Sequence, residues 1–163
     1  MSAVLDFLSP DLAAPETQWR SPLERALRTA PAEVADVSLT GKLEVRGDVS
    51  SLDATGFELV RITPSRALVL CDFTRTAELR ARLSDDFLVI DVSAGLAGLQ
   101  VRGEKIMRRL TDLDLDALPA VGSVAHVQAY VLRDGETFRL FFPQEYGHYV
   151  AEVVVDAAAG VQA

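Results

Sequence analysis

"DVSLTGKLEVRG", residues 36–47, returns in the same chain as "DVSAGLAGLQVRG", residues 91–103. The Asp-Val-Ser triplets begin at 36 and 91, 55 apart, and the Val-Arg-Gly triplets begin at 45 and 101, 56 apart. One residue is therefore inserted inside the second copy. In the first copy "KLEVR" alternates, which predicts a half-buried strand with Leu43 and Val45 inward and charges outward. Leu99 and Val101 take the same places in the second copy, and a glycine closes each strand, Gly47 and Gly103.

Outward from these two anchors the order of elements also repeats. "FELVRI" (57–62) and "ALVLC" (67–71) predict a hairpin turned by Pro64 and Ser65. "TRTAELRARLSDD" follows as a helix, capped by Asp72 or Thr74 and carrying a Glu78–Arg82 pair. In the second half "FLVIDVS" and "GLQVRG" are strands, and "SVAHVQAYVLR" and "TFRLFF" flank "DGE", a strong hairpin signal. Tyr146, Tyr149, Val150, Val153, Val154 and Ala157 then recur at helical spacing after Pro143, Gln144 and Glu145. One element lacks a counterpart: "EKIMRRL", a short helix burying Ile106, Met107 and Leu110, follows Gly103, whereas a loop, "DVSSLDATG", follows Gly47. The expected fold is α+β: two pseudo-symmetric ferredoxin-like halves, antiparallel strands with helices on one face. The repeats span 33–86 and 87–159 of a single domain, 33–163.

Residues 1–32 read differently. Pro10, Pro15, Pro22 and Pro31 punctuate an arm in which Val4, Leu5, Phe7, Leu8, Leu12, Trp19 and Leu23 are scattered. Such an arm packs on its own domain or inserts into a neighbour. Inside it "SPLERAL" predicts a short helix, with Ser21 as N-cap, Pro22 at the first position and Glu24 three residues after the cap.

Composition narrows the functional classes. A hydrophobic fraction of 49% with 25% charged residues suits a folded domain, and 163 residues suit one compact body. A net charge of -8 argues against nucleic acid and anionic membranes as partners. The single cysteine, Cys71, excludes an internal disulfide. With no basic leader before "MSAVLDFLSPDL" and no apolar run near the roughly 20 residues of a spanning helix, a cytoplasmic location is expected.

The chemical candidates are few. His126, inside "SVAHVQAYV", is expected on the strand's polar face with Val124, Gln128 and Tyr130, opposite Ala125, Val127 and Ala129. His148 stands three residues after Glu145, and one such pair falls short of a metal site. Asp112, Asp114 and Asp116 alternate like calcium ligands, but Ala117 and Ser123 occupy the positions where such a loop needs Gly and Glu. They read instead as water-facing residues on a turn anchored by Leu113, Leu115 and Leu118. Cys71 ends an apolar strand and reads as a small buried hydrophobe. No glycine-rich phosphate loop, dinucleotide fingerprint or serine elbow occurs. In this acidic chain Arg102, Lys105, Arg108 and Arg109 stand out as a local basic cluster, with the last three on one helix face. They are the only candidates to face an anionic ligand or partner; no catalytic and no metal residue is expected.

On "SPLERAL", "LVIDVSAGLAGLQVRGEKIMRRLTDLDLDALP" and "FRLFFPQEYGHYVAEVVVDAA", the chain resembles the aminomethyltransferase (T-protein) folate-binding fold, and above all the gamma subunit of heterotetrameric sarcosine oxidase. In that family a strand with Asp-Val-Ser (here Asp91 to Ser93) leads to a strand closed by glycine (Gly103). A helix, an Asp-Leu turn (Asp114, Leu115), a hairpin and a last helix with Asp-Ala-Ala (Asp156 to Ala158) follow. The T-protein's Gly-Gly and acidic segment, source of its catalytic aspartate, has no match between Gly47 and Phe57. The Lys-Gly-Cys-Tyr-x-Gly-Gln-Glu of other relatives is not matched by Cys71. The resemblance implies a non-catalytic gamma-type subunit of a flavin-dependent sarcosine (N-methyl amino acid) oxidase complex, binding no cofactor itself. Larger flavoprotein and folate-domain subunits are then its partners, and flavin, NAD and tetrahydrofolate are carried by them. Two alternatives stand beside it: a free-standing folate-binding or aminomethyltransferase-like module, and a structural homodimer.

Overall fold

The computed structural model describes residues 20–162, so the arm residues from Val4 to Trp19 lie outside the described part. Nine strands and three α-helices follow in order: β1 (Val34–Asp36), β2 (Gly41–Arg46), β3 (Glu58–Thr63), β4 (Arg66–Cys71), α1 (Thr76–Leu83), β5 (Leu88–Asp91), β6 (Leu96–Arg102), α2 (Glu104–Leu110), β7 (Ala120–Val124), β8 (Val127–Asp134), β9 (Thr137–Pro143) and α3 (Gly147–Gln162). All strand pairs are antiparallel. They make two sheets, ordered β3-β4-β2-β5 and β1-β6-β9-β8-β7.

These orders contain an exchange. β1 belongs to the first repeat yet pairs with β6 of the second, with Val34 opposite Val101. β5 belongs to the second repeat yet pairs with β2 of the first, with Val45 opposite Val89. Each half therefore donates its leading strand to the other's sheet. Once β1 and β5 are traded, both sheets have the same order, and β7 is an extra strand on the edge of the second.

The sheets lie face to face with helices outside, giving four layers. α2 and α3 cover the five-stranded sheet over a core that includes Leu99, Val101, Met107, Phe138, Leu140, Val150 and Val154. α1 covers the four-stranded sheet through Leu79 and Leu83 against Leu43, Val45 and Val69. Between the sheets Val60, Leu68 and Leu70 meet Leu132 and Phe141. This third core corrects the reading of β2 as half-buried. Its second face meets the other sheet rather than water, so Lys42 is fully buried and Glu44 nearly so.

Local expectations change in four further places. "SPLERAL" forms successive turns instead of a helix. Ser21 Oγ does accept from Leu23 N, and Leu27 N donates to Leu23 O, but no helical ladder continues from there. Leu23, Ala26, Leu27 and Ala30 are held by packing on the core instead. The "SVAHVQAYV" strand breaks at Ala125 and His126, which turn the β7–β8 hairpin with positive φ of 49° and 64°. Two left-handed residues are what a two-residue hairpin turn of this hand requires, normally with Asn or Gly. Glu78 pairs with Arg75 rather than Arg82, which lies over the Phe57 ring. On α3 the buried stripe is Val150, Ala151, Val154 and Ala158, while Tyr149 is exposed, as is Tyr146, which lies in the 3-10 turn before the helix.

Candidate functional site

The two Asp-Val-Ser triplets are the crossovers between the sheets, and they repeat atom for atom. Asp36 Oδ1 accepts from Ser38 N and Asp91 Oδ1 from Ser93 N, both at 2.9 Å, so each aspartate fixes a tight turn. Each serine then bonds a strand of the other half. Ser38 Oγ accepts from Gly98 N at 2.9 Å and donates to Gly98 O; Ser93 Oγ accepts from Lys42 N at 2.9 Å and donates to Lys42 O. Val37 N and Val92 N donate to the same two carbonyls, of Gly98 and Lys42, at 2.9 Å.

Lys42 and Gly98 are thus equivalent positions with opposite side chains. At Gly98 a Cβ would lie 2.8 Å from Val37 O and 2.9 Å from Phe141 Cε1, so only glycine fits. Lys42 sends its amine between the sheets, donating to Ser38 O and Thr40 O at 2.7 Å each and standing 5.6 Å from the centre of the Phe141 ring. Burial lowers the amine's pKa to about 8 against the pull of Asp91 and Asp36. Further along the seam Glu44 takes Arg46 at 2.6 Å and Arg66 at 2.7 Å. Burial raises the Glu44 carboxyl, but the bonds from Arg66 and Arg46 outweigh it and hold it below the usual range. Glu58 and Arg139 close the seam's rim in a bidentate pair, which lowers Glu58.

The basic cluster does not form one face. Arg108 is paired with Glu104 at 2.8 Å. Arg109 extends along α3 to Gly160. Arg102 and Lys105 border a depression with Glu33, Glu104 and Glu136, so three carboxylates accompany two cations there. Arg108 and Arg109 border a different depression of about 550 Å³ with His126, Asp112 and Tyr149. Sequence reasoning missed Arg133, which organises this side: it bonds Glu104 at 2.8 Å, Asp116 at 3.0 Å and the carbonyls of Leu115 and Gly135, and covers the Phe138 ring. Its partners lie up to 29 residues away, so no local signal marked it.

The remaining candidates are separate from one another. Asp114 caps the 3-10 turn Leu115–Ala117, Asp116 serves Arg133 and Asp112 borders the His126 depression. His148 meets Glu152 at 3.1 Å on the exposed side of α3, not Glu145. Burial raises the Cys71 thiol above its ordinary pKa, the reverse of an activated nucleophile. Among the described residues no group of three or more His, Cys, Asp or Glu could hold a metal ion, and no helix is long and apolar enough to cross a membrane.

Among the described residues the deepest charged group, Lys42, is closed by two carbonyls and a ring. This arrangement joins the two sheets.

No protein-family model matches the sequence, and no curated protein matches it. In fold the chain is similar to a chain of heterotetrameric sarcosine oxidase from Corynebacterium sp. U-96, solved with pyrrole 2-carboxylate: TM-score 0.70, 18% identity, 89% of this chain and 97% of that one. It is also similar to glycine cleavage system aminomethyltransferase T from Bartonella henselae, with TM-score 0.56 and 15% identity over 82% of this chain; it spans about half, 48%, of that chain. At these identities the likeness establishes the fold, the α+β architecture shared with both.

Proposed function

We propose that this chain is a non-catalytic, gamma-type subunit of a cytoplasmic, heterotetrameric, flavin-dependent oxidase of the sarcosine oxidase type, whose assembly it supports. The observation that carries the reading is the end-to-end likeness in fold to one chain of such an oxidase, 97% of which is covered. The internal chemistry is consistent with it. The buried titratable groups at the seam, Lys42 and Glu44, are each satisfied by hydrogen bonds within the fold. Flavin, NAD and tetrahydrofolate are assigned to larger partner subunits, where amine oxidation would take place.

Affinity purification of the tagged chain from its own cells tests this reading. It should bring down a flavoprotein in stoichiometric amount, together with oxygen consumption dependent on an N-methyl amino acid. A stable monomer without a flavoprotein overturns it. Heat from tetrahydrofolate titrated into the isolated chain would instead identify a folate-binding module, and a dimer by light scattering a structural homodimer.

A further inference from the structure

The repeat contains its own comparison for what an edge strand carries. β1 and β5 occupy the same edge position in their sheets. At 55-residue spacing Glu33 and Ala35 correspond to Leu88 and Ile90. In β5 these residues are 61% and 37% exposed, while Val89 between them is buried toward α1. Among the described residues β5 pairs only with β2, so alternate backbone N–H and C=O groups on its other side point outward, without a partner among those residues. Edge strands are normally blunted by shortness, charge, proline or cover; β5 is only four residues long and carries one charge, Asp91 at its end, and has no proline and, among the described residues, no cover.

The flanks of this edge are acidic. Asp85 and Asp86 precede it and Asp91 ends it, all exposed. Asp86 shares a depression with Asp48 and Asp53, where Arg82 is the only base. Antiparallel pairing of two β5 strands would crowd these carboxylates between chains that each carry a net charge of -8, and like charges at such positions are destabilising.

We propose that the free edge of β5 receives an extended segment of a partner chain, apolar at alternate positions and basic at its flanks, as a fifth strand of the sheet. The source of the segment, a larger subunit, rests on the function proposed above; the strand addition itself does not.

Hydrogen exchange of the full chain, alone and with a synthetic peptide of alternating Val and Thr flanked by Lys, tests the inference. Millimolar peptide should slow the outward amides of Leu88–Asp91 roughly tenfold. A Glu-flanked peptide should not. Leu88→Lys with Ile90→Lys should abolish the protection, whereas Ala35→Lys on β1 should leave it. Absence of protection, or equal protection by the Glu-flanked peptide, overturns the proposal. So does protection already present in the free chain, whether lost on dilution (a second copy) or on deletion of residues 1–19 (the chain's own arm). If the Leu88→Lys, Ile90→Lys variant still purifies with a flavoprotein, the subunit reading stands and this one falls. Peptide protection without any flavoprotein gives the reverse.

Discussion

Ser93→Ala removes the side chain through which the second crossover holds β2. Ser93 is 5% exposed and Lys42 fully buried, so water cannot replace the lost hydroxyl. The Lys42 carbonyl keeps its bond from Val92 N, but the Lys42 N–H loses its acceptor. A buried donor left without a partner costs about 1–3 kcal/mol. Ser38→Ala does the same to Gly98, whose carbonyl keeps Val37 N. Each substitution is therefore expected to cost about 2 kcal/mol. Together they should cost about 4, with a coupling of roughly 0.5–1 kcal/mol because the Lys42 amine binds the Ser38 carbonyl. Urea unfolding followed by far-UV circular dichroism measures this as lower midpoints at unchanged slope. Ser65→Ala, in an exposed turn, serves as the control and should stay within about 0.5 kcal/mol. If the buried serines lose no more than Ser65, the crossovers are not held by their hydroxyls and the reasoning is wrong.

Two more outcomes follow from the same seam. The Lys42 amine titrates at about 8 in the folded chain against an ordinary 10.5. Between these values the unfolded chain binds more protons, so this group's contribution to stability rises with pH across the window and is lost as pH falls through 8. Unfolding free energies of the native chain and Lys42→Met should therefore diverge by about 2 kcal/mol over that window, with allowance for solvent around the amine; a constant difference would refute it. Gly98→Ala must displace Phe141 or Val37 O, at about 1–3 kcal/mol, and calorimetry showing an unchanged melting temperature would contradict the packing described.

Most of the local structure was legible in the sequence because alternation and turn residues act over a few residues; the cap expected at Asp72 instead closes the 3-10 turn Phe73–Arg75 ahead of α1. β2, β6, the Asp134–Thr137 turn and α2 lie where periodicity predicts them. The exchange of β1 and β5 was not legible: each strand keeps the same pattern of buried and exposed positions whichever sheet it joins, and only the pairing partner differs. Nor could "KLEVR" reveal whether its charges face water or a second sheet carrying the Phe141 ring. The β7–β8 turn was hidden because Ala125 and His126 lack the Gly or Asn that announces left-handed backbone. Of the basic cluster, the sequence gives composition but not neutralisation, since Glu33 and Glu136 come from distant segments.

The strand exchange also orders events in time. Synthesis proceeds from the N-terminus, and β1 cannot pair until β6 exists, 67 residues later at Val34 and Val101. Until β5 is made, β2 presents a bare edge, so a nascent chain ending near residue 86 holds three strands of one sheet and an orphan of the other. Closing such distant pairs costs loop entropy before any contact repays it. The fold should therefore form late and as one unit, and a chain cut between the repeats should regain order only when both pieces are present.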